Sequence, residues 1–377
     1  MRDSVIQPLG EHLKDKKILL LSTGSIAAYK TPSLARHFRQ YGADVEVYLT
    51  PETKRYVTEE ALEWASDNPV VSELTANSEH LRSDVDAYVV APATYNTIGK
   101  FANGVADNAV TATLASATGR MDDGASIFVA PAMHGSMYNS TCKENIEKLK
   151  SKGVKIIEPD YKQGKANLTS THNIVVETIR GLSESPLKNK SIIINAGPTM
   201  GKIDNVRGIT NIFRGRTGID IADEAYMRGA KVKLIYASGG LKVPDYIDTT
   251  KVRYFEEMYD EVMKEVENYD IGIFSAAIVD YVPEDVFDGK IKSKGAVKEI
   301  KLKQTPKIIN EVRKKCPEMY MVTFKLENNI DMEHLFKIGR NRLSDGYQTV
   351  IVNRLEDMDK HTHLSHIMNK DGKMYQT

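Results

Sequence analysis

The chain has 377 residues, of which 51 are basic and 51 acidic, so its formal net charge is zero. This balance argues against a broad electrostatic footprint for nucleic acid or for an anionic membrane. Its two cysteines, Cys142 and Cys316, are too few for a disulfide framework. No apolar run approaches the ~20 residues that span a bilayer, and the charged start MRDSVIQPLGEHLKDKK has no signal-peptide core. We therefore expect a globular, cytoplasmic protein of about two to three domains.

Short apolar runs alternate with helical patterns through the first half of the chain. Strands are predicted at Ile18–Ser22, Val45–Leu49, Ala87–Ala91, Ser126–Ala130 and Lys155–Glu158. Helices are predicted at Tyr29–Tyr41, at Asn96–Ser116 with an interruption at Gly104, at Lys143–Lys152 and at Asn173–Leu182. Strands that alternate with helices predict βαβ units and a parallel sheet.

A second α/β pattern follows GLSESPLKNK at residues 181–190, a polar segment with a proline that is typical of a linker. Strands are predicted at Ile192–Asn195, Lys231–Tyr236, Ile271–Ala276, Lys298–Lys303, Tyr320–Phe324 and Thr349–Val352, and helices at Gly218–Arg228 and Phe255–Val266. We therefore expect two α/β domains, residues 1–182 and residues 190–377, of which the second is Rossmann-like.

The loop after the first strand, TGSIA at residues 23–27, has the composition of a phosphate-binding turn. Gly24 permits close approach of a ligand to the backbone, and Ser25 offers a hydroxyl at a helix N-terminus. The loop is not GxGxxG, which disfavours a dinucleotide, and an ordinary turn of a parallel sheet is the alternative. Polar segments also follow two later strands, APATYNT at residues 91–97 and PAMHGSMYN at residues 131–139. Open α/β sheets place ligands at such strand ends.

The ordered motifs GSIAAYK, His80, PATYNT, ANGVADN and PAMHGSMYN resemble the flavin-dependent cysteine decarboxylase family. The resemblance implies a flavodoxin-like domain that binds FMN, with His80 and Asn96 as catalytic residues. It implies FMN contacts at Gly24, Ser25, Ile26, Thr50, Thr94, Asn96 and Ala106, and substrate contacts at His134, Met137 and Asn139. His134 stands where the family has an Asn that contacts the substrate carboxylate, and His can still donate a hydrogen bond.

A second candidate site begins at AGPT, residues 196–199, which follows a predicted strand. The charged and amide residues after it are Asp204, Arg207, Asn211, Arg214 and Arg216. Arginines beside a helix N-terminus suit a triphosphate or a carboxylate, whereas solvated charges of an ordinary loop are the alternative. Asp280, at a strand end, is a candidate for Mg²⁺, a base or ribose, or a turn cap. The lysines at residues 290, 292 and 294 can neutralise phosphates.

The motifs AGPT, DNVR, TN, GRTG, AAIVDY and KIK resemble phosphopantothenoylcysteine synthetase, the ligase half of bacterial and archaeal bifunctional enzymes. In those enzymes the two domains are fused in this same order. The resemblance implies Lys290 and Asn211 as catalytic residues, a substrate contact at Arg207 and Mg²⁺ at Asp280. It implies CTP contacts at Gly197, Ala276, Ala277, Asp280, Lys290, Lys303 and Phe324.

Together the two resemblances imply consecutive reactions of coenzyme A biosynthesis. CTP would activate 4′-phosphopantothenate as an acyl-cytidylate, with Mg²⁺ and Lys290 offsetting charge on the α-phosphate, and the amine of cysteine would displace CMP. FMN would then oxidise the product's thiol, CO₂ would leave, and the electrons would return to give 4′-phosphopantetheine, with His80 acting at the oxidation and decarboxylation stage. The implied partners are small molecules and further copies of the chain, as flavin-domain trimers joined by ligase dimers into a dodecamer.

Two stretches depart from the bacterial pattern. The family's flap cysteine, which protonates the enethiolate, has no counterpart in YKQGKANLTS at residues 161–170, which leaves the proton donor unassigned, with Cys142 the nearby thiol. The ligase loop reads FRGRTG at residues 213–218, where SSGKMG is usual. We interpret both as lineage variation of an archaeal kind. The alternatives are a non-catalytic flavin-binding regulatory protein of the same fold, or a decarboxylase alone.

Overall fold

The computed structural model describes residues 5–162, 164–237, 239–292, 299–358 and 364–377. The chain divides into two units, Met1–Glu184 and Ser185–Thr377, called here the first unit and the second unit. Each unit has its own sheets and its own buried apolar residues. Within the described ranges, no helix has both the length and the apolar character needed to pass through a bilayer.

The first unit follows the predicted alternation of strands and helices. Its α-helices are α1 (Thr31–Gln40), α2 (Glu59–Ser66), α3 (Tyr95–Ala102), α4 (Ala109–Thr118), α5 (Ser140–Ser151) and α6 (Thr171–Leu182). Its strands are β1 (Lys17–Ser22), β2 (Asp44–Leu49), β3 (Val70–Val71), β4 (Ala87–Ala93), β5 (Ser126–Pro131), β6 (Met133–His134), β7 (Lys155–Ile156), β8 (Asp160–Lys162) and β9 (Lys165–Asn167). Short 3₁₀ helices lie at Ile26–Lys30, Pro51–Arg55 and Glu79–Leu81.

The main sheet of the first unit is parallel, with strand order β3-β2-β1-β4-β5-β7. Without the short edge strand β3, the order is that of flavodoxin-like sheets, which confirms the predicted fold. Leu19, Leu20 and Leu21 of β1 are all fully buried, so both faces of the sheet are covered. This explains why the strand reads as a continuous apolar run. The order reverses between β1 and β4, where open sheets bind ligands.

A small antiparallel sheet with the order β6-β9-β8 lies beside the main sheet of the first unit. Its strand β6 follows directly after β5. In its register, Met133 faces Ala166 and His134 faces Lys165. The stretch compared above with the family's flap is therefore, in its described residues, part of a sheet that includes His134.

The second unit contains a second complete α/β pattern. Its α-helices are α7 (Arg216–Met227), α8 (Phe255–Glu265), α9 (Ile308–Lys315) and α10 (Met332–Ser344). Its strands are β10 (Ser191–Ala196), β11 (Met200–Lys202), β12 (Gly208–Thr210), β13 (Lys231–Ala237), β14 (Asp248–Val252), β15 (Ile271–Phe274), β16 (Tyr281–Pro283), β17 (Leu302–Gln304), β18 (Tyr320–Glu327), β19 (Thr349–Arg354), β20 (His366–Asn369) and β21 (Met374–Gln376).

The main sheet of the second unit has the order β14-β13-β10-β15-β18-β19-β20-β21. It is parallel from β14 to β19, and β20 and β21 add antiparallel strands at one edge. The parallel part has the Rossmann order, which confirms the prediction for this domain, and its switch point lies between β10 and β15. The pairs β11-β12 and β16-β17 form two small antiparallel sheets.

Two predicted elements differ from the structure. The helix predicted over Asn96–Ser116 is two helices, because α3 ends at Ala102 and Gly104 has a left-handed φ of 72°. The second of them, α4, begins anew after Asn108, whose side-chain oxygen accepts from the Thr111 N–H at 3.1 Å. The strand predicted over Lys298–Lys303 begins outside the described residues, and the described strand here is β17.

Candidate active sites

A cavity of about 730 Å³ opens at the switch point of the first unit, within the size range of small-molecule sites. The residues that line it come from the loops after β1 and β2, from the end of β4 through α3 to the start of α4, and from the segments that contain β6 and β9. Among them are the predicted site residues Gly24, Ser25, Ile26, Thr50, Thr94, Asn96, His134 and Met137. The structure thus brings together most of the residues that the decarboxylase resemblance selects.

Hydrogen bonds from threonine hydroxyls connect two of the loops that border this cavity. Thr23 Oγ1 donates to the Pro92 carbonyl at 2.7 Å and accepts from the Thr94 N–H at 3.1 Å. The Thr94 side chain caps α3 by accepting from the Thr97 N–H at 3.4 Å. The loops after β1 and β4 are therefore bonded to each other, and the N-terminus of α3 faces the cavity with its first residues, Tyr95 and Asn96.

The loop at Gly24 is held against the loop after β2. The Gly24 N–H donates to Thr50 Oγ1 at 3.2 Å, so Thr50 positions the loop in addition to lining the cavity. A Cβ added to Gly24 would lie 2.4 Å from the Glu52 Cβ, which explains the absence of a side chain at this position. Ser25 caps the turn that follows, with its Oγ accepting from the Ala27 N–H at 3.2 Å. A hydroxyl and backbone N–H groups at a helix N-terminus suit an anionic ligand group.

The opposite rim carries His134, which is exposed. The Ser136 N–H donates to His134 Nδ1 at 3.3 Å, and Ser136 Oγ lies 2.8 Å from the same nitrogen. Because Nδ1 accepts from the backbone, a neutral His134 carries its proton on Nε2. This leaves an N–H donor for a carboxylate at the position where the family has Asn.

Three predicted residues of the first unit do not line the cavity. Asn139 caps α5, with its Oδ1 accepting from the Cys142 N–H at 3.1 Å. Ala106 is exposed in the loop between α3 and α4, one residue before Asp107, which does line the cavity. His80 lies on the short helix Glu79–Leu81, and its Nδ1 is buried without a hydrogen-bond partner in the described structure. Their predicted roles stay predictions.

Cys142, the nearby thiol, lies in the apolar core. Its side chain is 1 % exposed, it packs with Sγ 3.6 Å from the Met133 sulfur, and burial raises the pKa of its thiol. Since it is not among the residues that line the cavity, its position does not suit a proton donor to substrate. Charged residues that the sequence did not single out do line the cavity, and these are Glu52, Lys100, Asp107 and Lys165.

In the second unit, backbone and amide groups connect the loops at the carboxyl ends of β10 and β15. The Ala276 N–H donates to Asn195 Oδ1 at 3.1 Å, and the Ala277 N–H donates to the Gly197 carbonyl at 3.0 Å. Asn211 Nδ2 donates to the Ala277 carbonyl at 2.8 Å. Four predicted ligase residues are thus neighbours at the switch point of this sheet.

Gly197 has the tightest surroundings in this loop. Its φ is 83°, in the left-handed region that favours glycine. An added Cβ would lie 1.9 Å from the Ala237 carbonyl oxygen, at the end of β13. Main chain therefore packs directly on main chain here.

The buried carboxylate of Asp204 ties two loops of the second unit together. It accepts backbone N–H groups from Ile291 at 3.0 Å, from Val206 at 2.8 Å and from Arg207 at 2.7 Å. The Arg207 guanidinium adds a bond of 2.9 Å, and these donors, Ile291 first, hold the pKa of Asp204 below its usual range. Lys290 is exposed, and the next residue along the chain, Ile291, accepts from the Arg207 guanidinium through its carbonyl oxygen at 3.1 Å. Lys294 lies outside the described residues.

Asp280 is paired with a lysine that the sequence analysis did not select. Lys307 Nζ lies 2.5 Å from Asp280 Oδ1, and both side chains are about half exposed. Lys303 is exposed on β17, and Phe324 is partly buried on β18. No cluster of three or more His, Cys, Asp or Glu that could hold a metal occurs among the described residues. Asp280 is the one predicted metal ligand, and Mg²⁺ is commonly bound by one or two carboxylates together with substrate phosphates.

Two family models match the chain, one on each unit. Residues 6–183 match the Flavoprotein family, and residues 187–377 match the DNA/pantothenate metabolism flavoprotein C-terminal domain. The two matches confirm the resemblances drawn from the motifs.

Relatives match along nearly the whole chain. A coenzyme A biosynthesis bifunctional protein CoaBC from Thermococcus kodakarensis is 37% identical over 355 residues, which cover 91% of this chain and 86% of the relative. The Methanocaldococcus jannaschii protein of the same name is 36% identical over 354 residues, which cover 93% of this chain and 85% of the relative. A crystal structure of the DNA/pantothenate metabolism flavoprotein from Streptococcus pneumoniae matches with a TM-score of 0.46 and 26% identity, covering 50% of this chain and 92% of that one. On the sequence agreement, the chain belongs to the family of coenzyme A biosynthesis bifunctional proteins CoaBC.

Proposed function

We propose that the second unit ligates 4′-phosphopantothenate to L-cysteine with CTP, and that the first unit decarboxylates the product to 4′-phosphopantetheine. The observation that carries the proposal is the full-length agreement with bifunctional CoaBC proteins, combined with a separate built site at the switch point of each sheet. Two consecutive reactions need two such sites, whereas a decarboxylase alone needs one.

The cavity of the first unit has the features that FMN requires. Gly24 and Ser25 would hold its phosphate, because their loop presents backbone N–H groups and a hydroxyl. Thr94 and Asn96 would contact the flavin from the N-terminus of α3. When bound, FMN supplies the two-electron redox chemistry that makes the neighbouring carboxylate a leaving group. His134 Nε2–H would hold that carboxylate until it leaves.

The second unit would orient three substrates with backbone groups and a few cations. Gly197, Ala276 and Ala277 present main-chain groups for the nucleotide, and Asn211 lies beside them to position the acylated intermediate. Lys290 would offset the charge that develops on the α-phosphate. Asp280 would contribute the protein's carboxylate to Mg²⁺ once Lys307 turns away.

We propose further that the chain works as a homo-oligomer, with flavin-domain trimers joined by ligase dimers. Its support is the position of His80, which does not line the cavity of its own unit. In a trimer, His80 of the partner subunit would complete the site. Ile26 and Met137 line the cavity and are 72% and 44% exposed, and Tyr29 close by is 61% exposed. Such apolar side chains at the rim fit a subunit contact.

The test follows 4′-phosphopantothenate with cysteine, Mg²⁺ and either CTP or ATP by mass spectrometry, after a visible spectrum of the purified protein. The proposal expects a yellow protein that makes 4′-phosphopantetheine with CTP. Release of CO₂ from added 4′-phosphopantothenoylcysteine without any nucleotide-dependent pyrophosphate release would leave a decarboxylase alone. A yellow protein with neither activity would be the non-catalytic regulator.

A further inference from the structure

We propose that Lys165 is the proton donor of the decarboxylase reaction, in the role that the absent flap cysteine leaves open. The inference rests on the proposed function of the first unit. It concerns a residue that neither the motifs nor the comparisons assign. Its basis is the small sheet β6-β9-β8, which places a lysine at the cavity beside His134.

The position of Lys165 follows from strand register. His134 on β6 and Lys165 on β9 are directly opposite residues of an antiparallel pair. Directly opposite side chains lie on the same face of such a pair, about 5 Å apart at Cβ. Both residues line the cavity, and Ala166, Asn167 and Leu168 extend the same wall. A substrate carboxylate held by His134 would therefore lie within reach of the Lys165 ammonium.

Lys100, Asp107 and His134, which also line the cavity, are less suited to this role. Lys100 is paired with Asp107 at 2.5 Å, which occupies both side chains. His134 uses Nδ1 to accept from Ser136, and its remaining N–H is the proposed donor to the substrate carboxylate.

Lys165 differs from these groups because its ammonium is uncommitted. In the part of the chain that the structure describes, its side chain has no hydrogen bond or ion pair, although it is exposed at the cavity. Lys162, its opposite neighbour on β8, instead lies 3.6 Å from an Asp160 oxygen and does not line the cavity. Lysine is among the side chains that serve as general acids.

The step itself is a carbon protonation. Loss of CO₂ leaves an enethiolate, in which the carbon that carried the carboxylate is joined to its neighbour by a double bond. The Lys165 ammonium would give its proton to that carbon, the C=C bond would become single, and the thiolate electrons would form a C=S bond. The neutral amine would then recover a proton from water. Reduction of C=S to the thiol uses the two electrons that the substrate gave up earlier in the same cycle.

The experiment supplies 4′-phosphopantothenoylcysteine to the full chain and to its variants and measures two products by mass spectrometry. One is 4′-phosphopantetheine, and the other is the decarboxylated enethiol, which is lighter by two hydrogens. For Lys165→Gln in air-saturated buffer, we expect CO₂ release to continue, because dissolved O₂ takes up the two electrons that release of the enethiol leaves on the flavin. The ratio of the first product to the second should fall about 100-fold, the low end for a general acid. Flavin content and ligase turnover should stay unchanged, and Lys162→Gln is the matched control on the same hairpin.

Two more variants separate proton donation from charge. Lys165→Arg keeps the positive charge but does not release its proton, so the enethiol should again accumulate. Lys165→Cys should restore 4′-phosphopantetheine, because a thiol can also give up a proton to the enethiolate carbon. Full activity of Lys165→Arg or of Lys165→Gln would overturn the assignment. Absence of 4′-phosphopantetheine from the unaltered chain would instead remove the proposed function on which it rests.

Discussion

Substitution of Asn139 distinguishes two roles of its side chain, capping of helix α5 and contact with the substrate. The motif resemblance makes Asn139 a substrate ligand, whereas the structure has its Oδ1 accepting from the Cys142 N–H at 3.1 Å at the start of α5. Loss of an N-cap of this kind costs about 1 kcal/mol, within a range of ~0.5–2 kcal/mol. For a folding unit of this size, about 1 kcal/mol corresponds to a fall in Tm of roughly 2–4 °C. We therefore expect Asn139→Ala to lower the Tm of the first unit by that amount.

Asn139→Asp is the control, because a carboxylate oxygen caps a helix as well as an amide oxygen does. We expect this variant to keep the parent Tm, and both variants to keep the KM for 4′-phosphopantothenoylcysteine within about twofold. The assay combines thermal unfolding followed by circular dichroism with steady-state decarboxylation. A parent Tm in Asn139→Ala would refute the cap interpretation. A rise in KM of more than about tenfold in Asn139→Asp would instead establish the substrate contact, since a carboxylate there would repel the substrate's own charge.

Three further predictions concern other parts of the chain. Gly197→Ala should abolish ligase turnover and lower the free energy of unfolding, measured with a chemical denaturant, by more than ~2 kcal/mol. Gly240→Ala is the control: its Cβ would meet no described atom within 4 Å, so it should lower the same free energy by only ~1–2 kcal/mol. Burial first, and then a neighbouring histidine, lower the pKa of His37, so folding disfavours its protonated form and stability falls as pH drops below about 6.5. The loss in unfolding free energy between about pH 7.5 and 5.5 should be smaller in His37→Gln, and an equal loss would contradict this origin. Lys307→Gln should lower the Mg²⁺ concentration for half-maximal ligation by at most about fivefold, because an exposed ion pair contributes only ~0–1 kcal/mol. Asp280→Asn should raise that Mg²⁺ concentration, because it removes the carboxylate.

The positions of both sites could be predicted from the sequence because they follow from local patterns. An apolar run that stops at small polar residues marks the carboxyl end of a parallel strand, and such ends share one edge of the sheet. Gly24, Thr94 and Asn96 therefore line one cavity although the loops that carry them are far apart in the chain.

Side chains whose roles depend on distant partners could not be predicted in the same way. In the sequence Asp204 is one charge in a polar loop, but its carboxylate accepts from the Ile291 N–H, 87 residues later in the chain. No local pattern singles out Lys165, and only the antiparallel pairing of β9 with β6 brings it to the cavity. The pairing of Asp280 with Lys307 likewise joins two loops that no local pattern connects.

The close contact at Gly197 limits how this sequence can change over evolutionary time. The atom that a side chain would strike is the carbonyl oxygen of residue 237, which every amino acid carries. No second mutation at that neighbour can make room, so a change at Gly197 has no compensating partner there. Saturation mutagenesis under selection for growth without external coenzyme A precursors should therefore recover glycine alone at this codon, in any genetic background.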